Sequence, residues 1–402
     1  MNVTPALSRA ADAELTPSTA ITLLLAAACG LIVANLYYAQ PLAGPIGASL
    51  GLSPSATGLI VTLTQIGYGI GLLFIVPLGD LVETRRLVGV LIALVTLALA
   101  GAALSTQPLP FFIAVLSIGL FAVAAQVLVP YAAHLAPAAH RGRMVGNVMS
   151  GLLMGIMLAR PVASFIAQAA GWHAVFWGSA AAMVLLGVLL GVALPSRRPT
   201  STLRYSTLLA SMGRLALHTP VLRRRSLYHA AMFGAFSLFW TTVPLRLAQE
   251  FHLSQSGIAL FALAGVAGAV ASPIAGRLAD AGHTRIATIL AMACAIAAFA
   301  LSRVGAPGST PALAALVVAG IVLDFGVTTN LVVGQRAIFA LGDDVRSRLN
   351  GLYMATFFAG GAIGSAFGGL AYARGGWAAA AWLGLALPAT ALAYCATERR
   401  GA

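Results

Sequence analysis

Lysine is absent from this chain of 402 residues, and all 23 basic side chains are Arg. Charge of either sign is scarce, at 8%, where soluble domains carry roughly 25%. A packed aqueous fold is therefore excluded. Cysteine is nearly absent as well: Cys29, Cys294 and Cys395 each sit inside an apolar stretch and form no spaced pair. Neither a disulfide framework nor a zinc site is indicated. No phosphate-binding loop, no zinc-type His spacing and no strand-turn-helix nucleophile elbow occurs, so enzymatic chemistry is not expected. Ser150, the one serine in Val145–Gly151, lies on a helix start and is not a credible nucleophile.

What fills the chain is apolar: 60% of its residues are hydrophobic and the mean hydropathy is +0.94. Runs of about 20 apolar residues recur throughout, the length that crosses a bilayer as a helix. They fall at 20–44, 54–79, 87–105, 110–134, 145–168 and 173–194, then 226–249, 256–278, 286–304, 311–337, 349–372 and 377–395. The expectation is an all-α integral membrane protein of about twelve transmembrane helices. The first run is too long for a signal-peptide core, so it reads as a retained first span.

A net charge of +13 invites a nucleic-acid reading, but no soluble basic surface is left to track phosphates. The arginines gather in alternate loops, which is the positive-inside pattern. With an even number of spans both termini share one side. Placing them in the cytoplasm puts Arg9, Arg85, Arg86, Arg141, Arg143, Arg285, Arg346, Arg348, Arg399 and Arg400 inside, together with the Arg-rich loop 195–225. That loop reads as a tether, with a surface helix near Ser206–His218 and arginines able to grip anionic lipid headgroups.

The chain also repeats itself. Val76–Arg86 reads V-P-L-G-D-L-V-E-T-R-R, and Gly276–Arg285 reads G-R-L-A-D-A-G-H-T-R, so Asp80 falls on Asp280 and Arg85 on Arg285. Arg141, Arg143 and Gly146 fall on Arg346, Arg348 and Gly351, and Gly171-Trp172 on Gly376-Trp377, all at an offset of 205. Two pseudo-symmetric six-helix bundles, 1–194 and 226–402, are expected, joined by the basic linker 195–225.

Six spans, a basic linker, six spans, and an acidic-basic signature after spans 2 and 8 together resemble the major facilitator superfamily of secondary transporters. That signature runs G-x-x-x-D-x-x-G-R-x-x-R in the family. The second copy fits it through Gly276, Asp280, Gly282 and Arg285, while the first has Val76 in place of Gly and Val82-Glu83 in place of a Gly turn. Asn35-Leu-Tyr-Tyr-Ala-Gln-Pro41 and Gly155-Ile-Met-Leu-Ala-Arg-Pro161 look like a bacterial branch described as drug or sugar efflux permeases. The resemblance implies alternating access across a bacterial inner membrane, a small-molecule substrate, no cofactor, the proton gradient as driving force, and function as a monomer. It also implies that Asp80, with Arg85 or Arg86, meets the cytoplasmic start of span 11, and that Asp280, with Arg285, meets that of span 5. These contacts act either as a cytoplasmic gate or simply as tight turns that fix topology.

Charges within the membrane point to the site. Asp324 lies about 13 residues into span 10, near the midplane at ~1.5 Å rise per residue. An ionised Asp there costs roughly 2.5–3.5 kcal/mol, so it must be paired, hydrated or protonated. It shares a stripe with Thr328, Leu331 and Gln335, and by resemblance span 10 lines the cavity. Its role is proton coupling, cation binding or a structural ion pair. Arg160 in span 5, followed by Ser164 and Gln168 at steps of four, keeps its proton. It either binds an anionic substrate, pairs with Asp324, or snorkels outward. Asn35 with Tyr38, Thr62 with Gln65, Gln126 with His134, and Trp240 beside Phe236 complete a moderately apolar pocket. Small-residue stripes, Gly151-Gly155-Ala159-Ala163 in span 5, Gly360-Gly364-Gly368 in span 11 and Gly67-Gly71 in span 2, serve static packing, a seam along which the halves rock, or both.

Overall fold

The computed structural model describes residues 19–136, 140–196, 204–265, 271–342 and 345–398. The tail with Arg9, Asp12 and Glu14, the linker residues 197–203 and the terminal Arg399-Arg400 lie outside them. Ten helices among the described residues are long and apolar enough to cross a membrane. Spans 1 to 6 are Thr19–Ser49, Pro54–Asp80, Thr84–Leu104, Pro108–Leu135, Gly142–Ala170 and Trp172–Ala193. Span 7 is Pro220–Gln249, span 9 Thr284–Leu301 and span 10 Thr310–Phe339. The helix Arg346–Ala396 is two spans, 11 and 12, because Gly375 and Gly376 leave helical geometry within it. Gln255–Ala262 and Ala271–Asp280 supply the two ends of span 8. With span 8 described only at its two ends, this agrees with the expected number of about twelve.

Local chemistry accounts for the boundaries. Spans 4, 7 and 10 open with proline in the first helical turn, where its missing N–H costs nothing. Ser53 and Ser254 cap spans 2 and 8, each accepting a hydrogen bond at 3.3 Å from the amide three residues on. The Gly-Trp echo has the same kind of cause. Gly171 and Gly376 turn the chain at φ 79° and 59°, a region that side chains with a Cβ avoid. Trp172 and Trp377 are both buried just beyond the turn. On the outside of the bundle, side chains such as Leu97, Leu109 and Val192 stand open, Val192 at 83%, a surface that only lipid can cover.

The glycine stripes do pack closely, but not where a rocking seam is expected. A Cβ on Gly151 or Gly155 would run into the backbone of Ala26 or Gly30 in span 1. One on Gly360 or Gly364 would meet Ala230 or Gly234 in span 7. Gly67 and Gly71 press on Leu116 and Leu120 of span 4. Each stripe joins helices within one half. The contact between halves runs along the other side of span 2, where Gly58 meets Ser365 and Gly369 of span 11, and Gly69 approaches Ala355 and Phe358. The outer part of span 8, Gln255–Ala262, packs on span 5, and Ala39–Ser49 packs on span 7.

A surface helix, Tyr205–His218, precedes span 7 with only Thr219 between them. It matches the helix expected in the linker. It reaches both halves: the Tyr205 hydroxyl donates to the Phe74 carbonyl in span 2 at 2.7 Å, and Ser211 accepts from Arg348 at the start of span 11 at 2.9 Å.

Candidate functional site

Three kinks and two buried charges make the site. Span 1 is not one helix. After Ala34 the amides of Asn35, Leu36 and Tyr37 bond three residues back instead of four, and a second helix, Ala39–Ser49, follows. This tighter winding turns Tyr37 and Gln40 towards span 5. Pro161 and Pro244 lie inside spans 5 and 7, and each removes one ladder hydrogen bond.

Arg160 is 3% exposed, so it does not snorkel. Its Nε donates to the Gln40 Oε1 at 2.7 Å. Its guanidinium lies over three rings, Trp240 at 4.6 Å, Tyr37 at 5.0 Å and Phe236 at 5.2 Å, an arrangement that stabilises a desolvated cation. Asp324 is 5% exposed and accepts a hydrogen bond from the Trp240 indole N–H at 2.9 Å. Among the described residues no ion pair within 4.0 Å joins the two charges. Trp240 contacts both, giving its ring face to the cation and its edge N–H to the carboxylate. Gly265 makes room for this, since a Cβ there would come within 2.8 Å of the Asp324 Oδ2 and 3.2 Å of the indole.

Polar groups of span 2 close the seam beside this filled chamber of buried side chains. Gln65 donates to Ser237 of span 7 at 2.7 Å, and Thr62 bonds Ser365 of span 11 at 2.8 Å. Gln126 of span 4 donates to the Tyr68 hydroxyl at 3.1 Å, and Tyr68 packs on Phe358 with ring centroids 4.4 Å apart. Thr62, Gln65 and Gln126 therefore lie at or near the contact between halves. Thr328 follows Asp324 by one turn and is half-buried.

Other sequence candidates fall elsewhere. Asn35 and Tyr38 share a side of span 1, since both reach Ser179 of span 6. The Asn35 amide donates to the Leu31 and Ile32 carbonyls, and its Oδ1 accepts from Ser179 at 2.6 Å. Tyr38 lines an open groove of about 1140 Å³ between spans 1 and 5, floored by Gly30, Gly151 and Gly155. On span 5 that groove occupies the side away from Arg160. Bonding three residues back brings side chains at i and i+3 over one another, so the tighter winding at 35–37 keeps Asn35 and Tyr38 on one side. At the loops, Asp80 ends a short 3-10 turn, Val76–Asp80, and is exposed. Arg85 donates to the Leu194 carbonyl at the end of span 6 at 3.3 Å, so the bond it makes caps a neighbouring helix within its own half. Arg86 is exposed and Arg285 half-buried. The Asp280 side chain lies outside the described residues.

Gln40, Tyr37 and Ser237 carry the site and are not singled out by spacing. The one signal was the cluster Asn35–Pro41, in which Gln40 precedes a proline in an otherwise apolar span.

Comparison with known proteins agrees with this architecture. The profile described as Major Facilitator Superfamily matches residues 22–342 and 226–401. The uncharacterized transporter YgaY of Escherichia coli O157:H7 is 39% identical over 370 residues, 91% of each chain. The probable transporter SCO4007 of Streptomyces coelicolor is 34% identical over 92% of this chain and 86% of its own. Among solved structures, a POT family transporter in complex with 5-aminolevulinic acid superposes with a TM-score of 0.75 at 12% identity, covering 94% of this chain and 97% of that one. The nucleoside transporter NupG gives 0.72 at 14% identity, over 94% and 100%. These structures share the fold with the present chain. The relatives of known sequence are named as transporters and none of the findings points to an enzyme. Twelve apolar spans, two echoed halves and a profile match along nearly the whole length make this chain a membrane transport protein that belongs to the Major Facilitator Superfamily.

Proposed function

We propose that this protein is a secondary active transporter that exports small organic molecules from the bacterial cytoplasm in exchange for protons, by alternating access. The observation that carries this reading is the placement of Arg160 on the face and of Asp324 at the N–H edge of one indole. The two charges come from spans 5 and 10, one in each half, and they share Trp240 without pairing directly. When the halves move against each other, the groups facing the carboxyl change, and with them its hold on a proton. A substrate entering the chamber acts on the same three residues.

In this reading the chain works as a monomer in the inner membrane with both termini in the cytoplasm, without a cofactor and driven by the proton gradient. Residues 1–194 and 226–402 are the moving bundles, and the basic linker 195–225 holds anionic headgroups. The cytoplasmic gate comprises the loops of Asp80, Arg85 and Arg86 and of Asp280 and Arg285. The helix Tyr205–His218, which bonds both span 2 and span 11, belongs to the same closure. A second reading, proton-coupled uptake of an organic anion, uses the same mechanism. It is favoured by the buried Arg160 Nη2, which has no hydrogen-bond partner among the described residues.

Transport by Asp324→Asn in proteoliposomes, with and without an imposed pH gradient, tests the coupling. The variant is expected to retain substrate binding and downhill exchange while losing gradient-driven movement. Full gradient-driven transport by Asp324→Asn would make the residue a structural group and move the coupling elsewhere.

A further inference from the structure

The chamber's hydrogen-bonding inventory is lopsided around Arg160. Its Nε is taken by Gln40, but Nη2 is buried without a partner among the described residues. An arginine N–H can face only an acceptor, so the orientation of the Gln40 amide is fixed with Oε1 towards Arg160. The Gln40 Nε2 then points away, and it too is buried without a partner. Ser164, one helical turn beyond Arg160, has a third unpartnered polar atom, its Oγ. All three side chains are at least nine-tenths buried. Leaving a buried donor unmade is costly, and more so when it is charged. The rings of Trp240, Tyr37 and Phe236 stabilise the guanidinium charge from its faces, but they accept little in the plane where Nη2 donates. The acidic group of the chamber, Asp324, is held at the edge of the indole by the Trp240 N–H, and among the described residues no ion pair within 4.0 Å joins it to Arg160.

Resting on the transport reading above, we infer that the chamber takes a compact organic anion, a carboxylate on an aromatic or apolar body, received by Arg160 Nη2 and Gln40 Nε2. One carboxylate oxygen lies on the guanidinium and the other on the amide, with the Ser164 hydroxyl able to add a third donor. The body of the molecule rests against the aromatic walls. A cationic ligand would bring a second positive charge beside Arg160, and a neutral polyol would bring no charge to meet the guanidinium. The inference is independent of the direction of transport.

The experiment uses the purified full chain and matched ligands: benzoate, phenylacetate and indole-3-acetate, each beside its primary amide and the corresponding amine. Binding is read by calorimetry and by quenching of tryptophan fluorescence. At least one acid is expected to bind, its amide roughly tenfold to a hundredfold more weakly, as loss of one charge-assisted contact implies. Arg160→Gln and Gln40→Met should erase the preference for acid over amide, while Arg160→Lys should retain part of it. Melting curves of each variant establish that it is folded. Gln40→Met keeps the test open if Arg160→Gln fails to fold, since it leaves the charge in place. Equal binding of acid and amide, preference for the amines, or no binding of any acid would overturn the assignment. Movement of a neutral or cationic compound in proteoliposomes without acid binding would remove the anion site and leave transport standing. Acid binding that is lost in Arg160→Gln, with no movement of any compound across the membrane, would leave the site and remove the transport reading.

Discussion

Trp240→Phe separates the two services that this side chain performs. The substitution keeps a ring beneath the Arg160 guanidinium, now 4.6 Å away, but removes the N–H that reaches Asp324 at 2.9 Å. A hydrogen bond to a charged group contributes about 1.5–3 kcal/mol, and exchanging indole for phenyl under a cation removes roughly 0.5–1 kcal/mol more. The expected loss is therefore about 2–4 kcal/mol. Asp324→Ala deletes the acceptor instead and leaves the indole N–H buried and unmet. The double variant has neither group to satisfy, so it should be less destabilised than the sum of the singles, with a coupling energy of about 1–3 kcal/mol. Unfolding in detergent can be followed with a thiol-reactive dye, because Cys29 and Cys395 are buried free thiols that react once the bundle opens. If the two losses add to within about 0.5 kcal/mol, the indole and the carboxyl act independently, and the reasoning that links both charges through Trp240 fails.

Two further outcomes test the frame around the site. Gly155→Leu and Gly360→Leu force side chains against Gly30 and Ala230, so each should lower stability by about 1–3 kcal/mol or more. Wild-type melting in either variant would contradict the close approach of spans 1 and 5 or 7 and 11. At the loops, Asp80→Asn should leave expression intact while raising cysteine labelling at the ends of spans 4 and 10 that lie on the side of the Asp80 loop. Unchanged labelling together with unchanged transport would reduce the loop to a topology device.

How much of this was legible in the sequence depends on the kind of evidence each residue gave. The span count was readable because a bilayer imposes a length on every crossing segment. The Gly171-Trp172 and Gly376-Trp377 echo was readable as a repeat, and the structure supplies the cause in the positive φ of both glycines. Arg160 and Asp324 stood out because charge inside an apolar run is rare. Partners were harder. Gly151 and Gly155 announce that a backbone comes close, but not whose backbone, and the neighbour is span 1 of the same half. Asn35 and Tyr38 were paired by spacing, and both reach Ser179. Gln40 escaped notice because the amides of residues 35–37 bond three residues back, and the α-helical spacing of span 1 does not carry across that turn.

The helix Tyr205–His218 has a mechanical consequence. Thr219 alone separates it from span 7, so the two helices meet at an elbow with almost no slack. Trp240 lies on that same span, about 30 Å along the axis from Pro220 at ~1.5 Å per residue. A tilt of span 7 at the chamber is thus delivered, as by a crank, to the far end of span 2, where Tyr205 holds the Phe74 carbonyl. The linker that joins the halves in sequence is also an arm of the second half laid across the first. The two repeats, alike in their spans, are unequal in leverage.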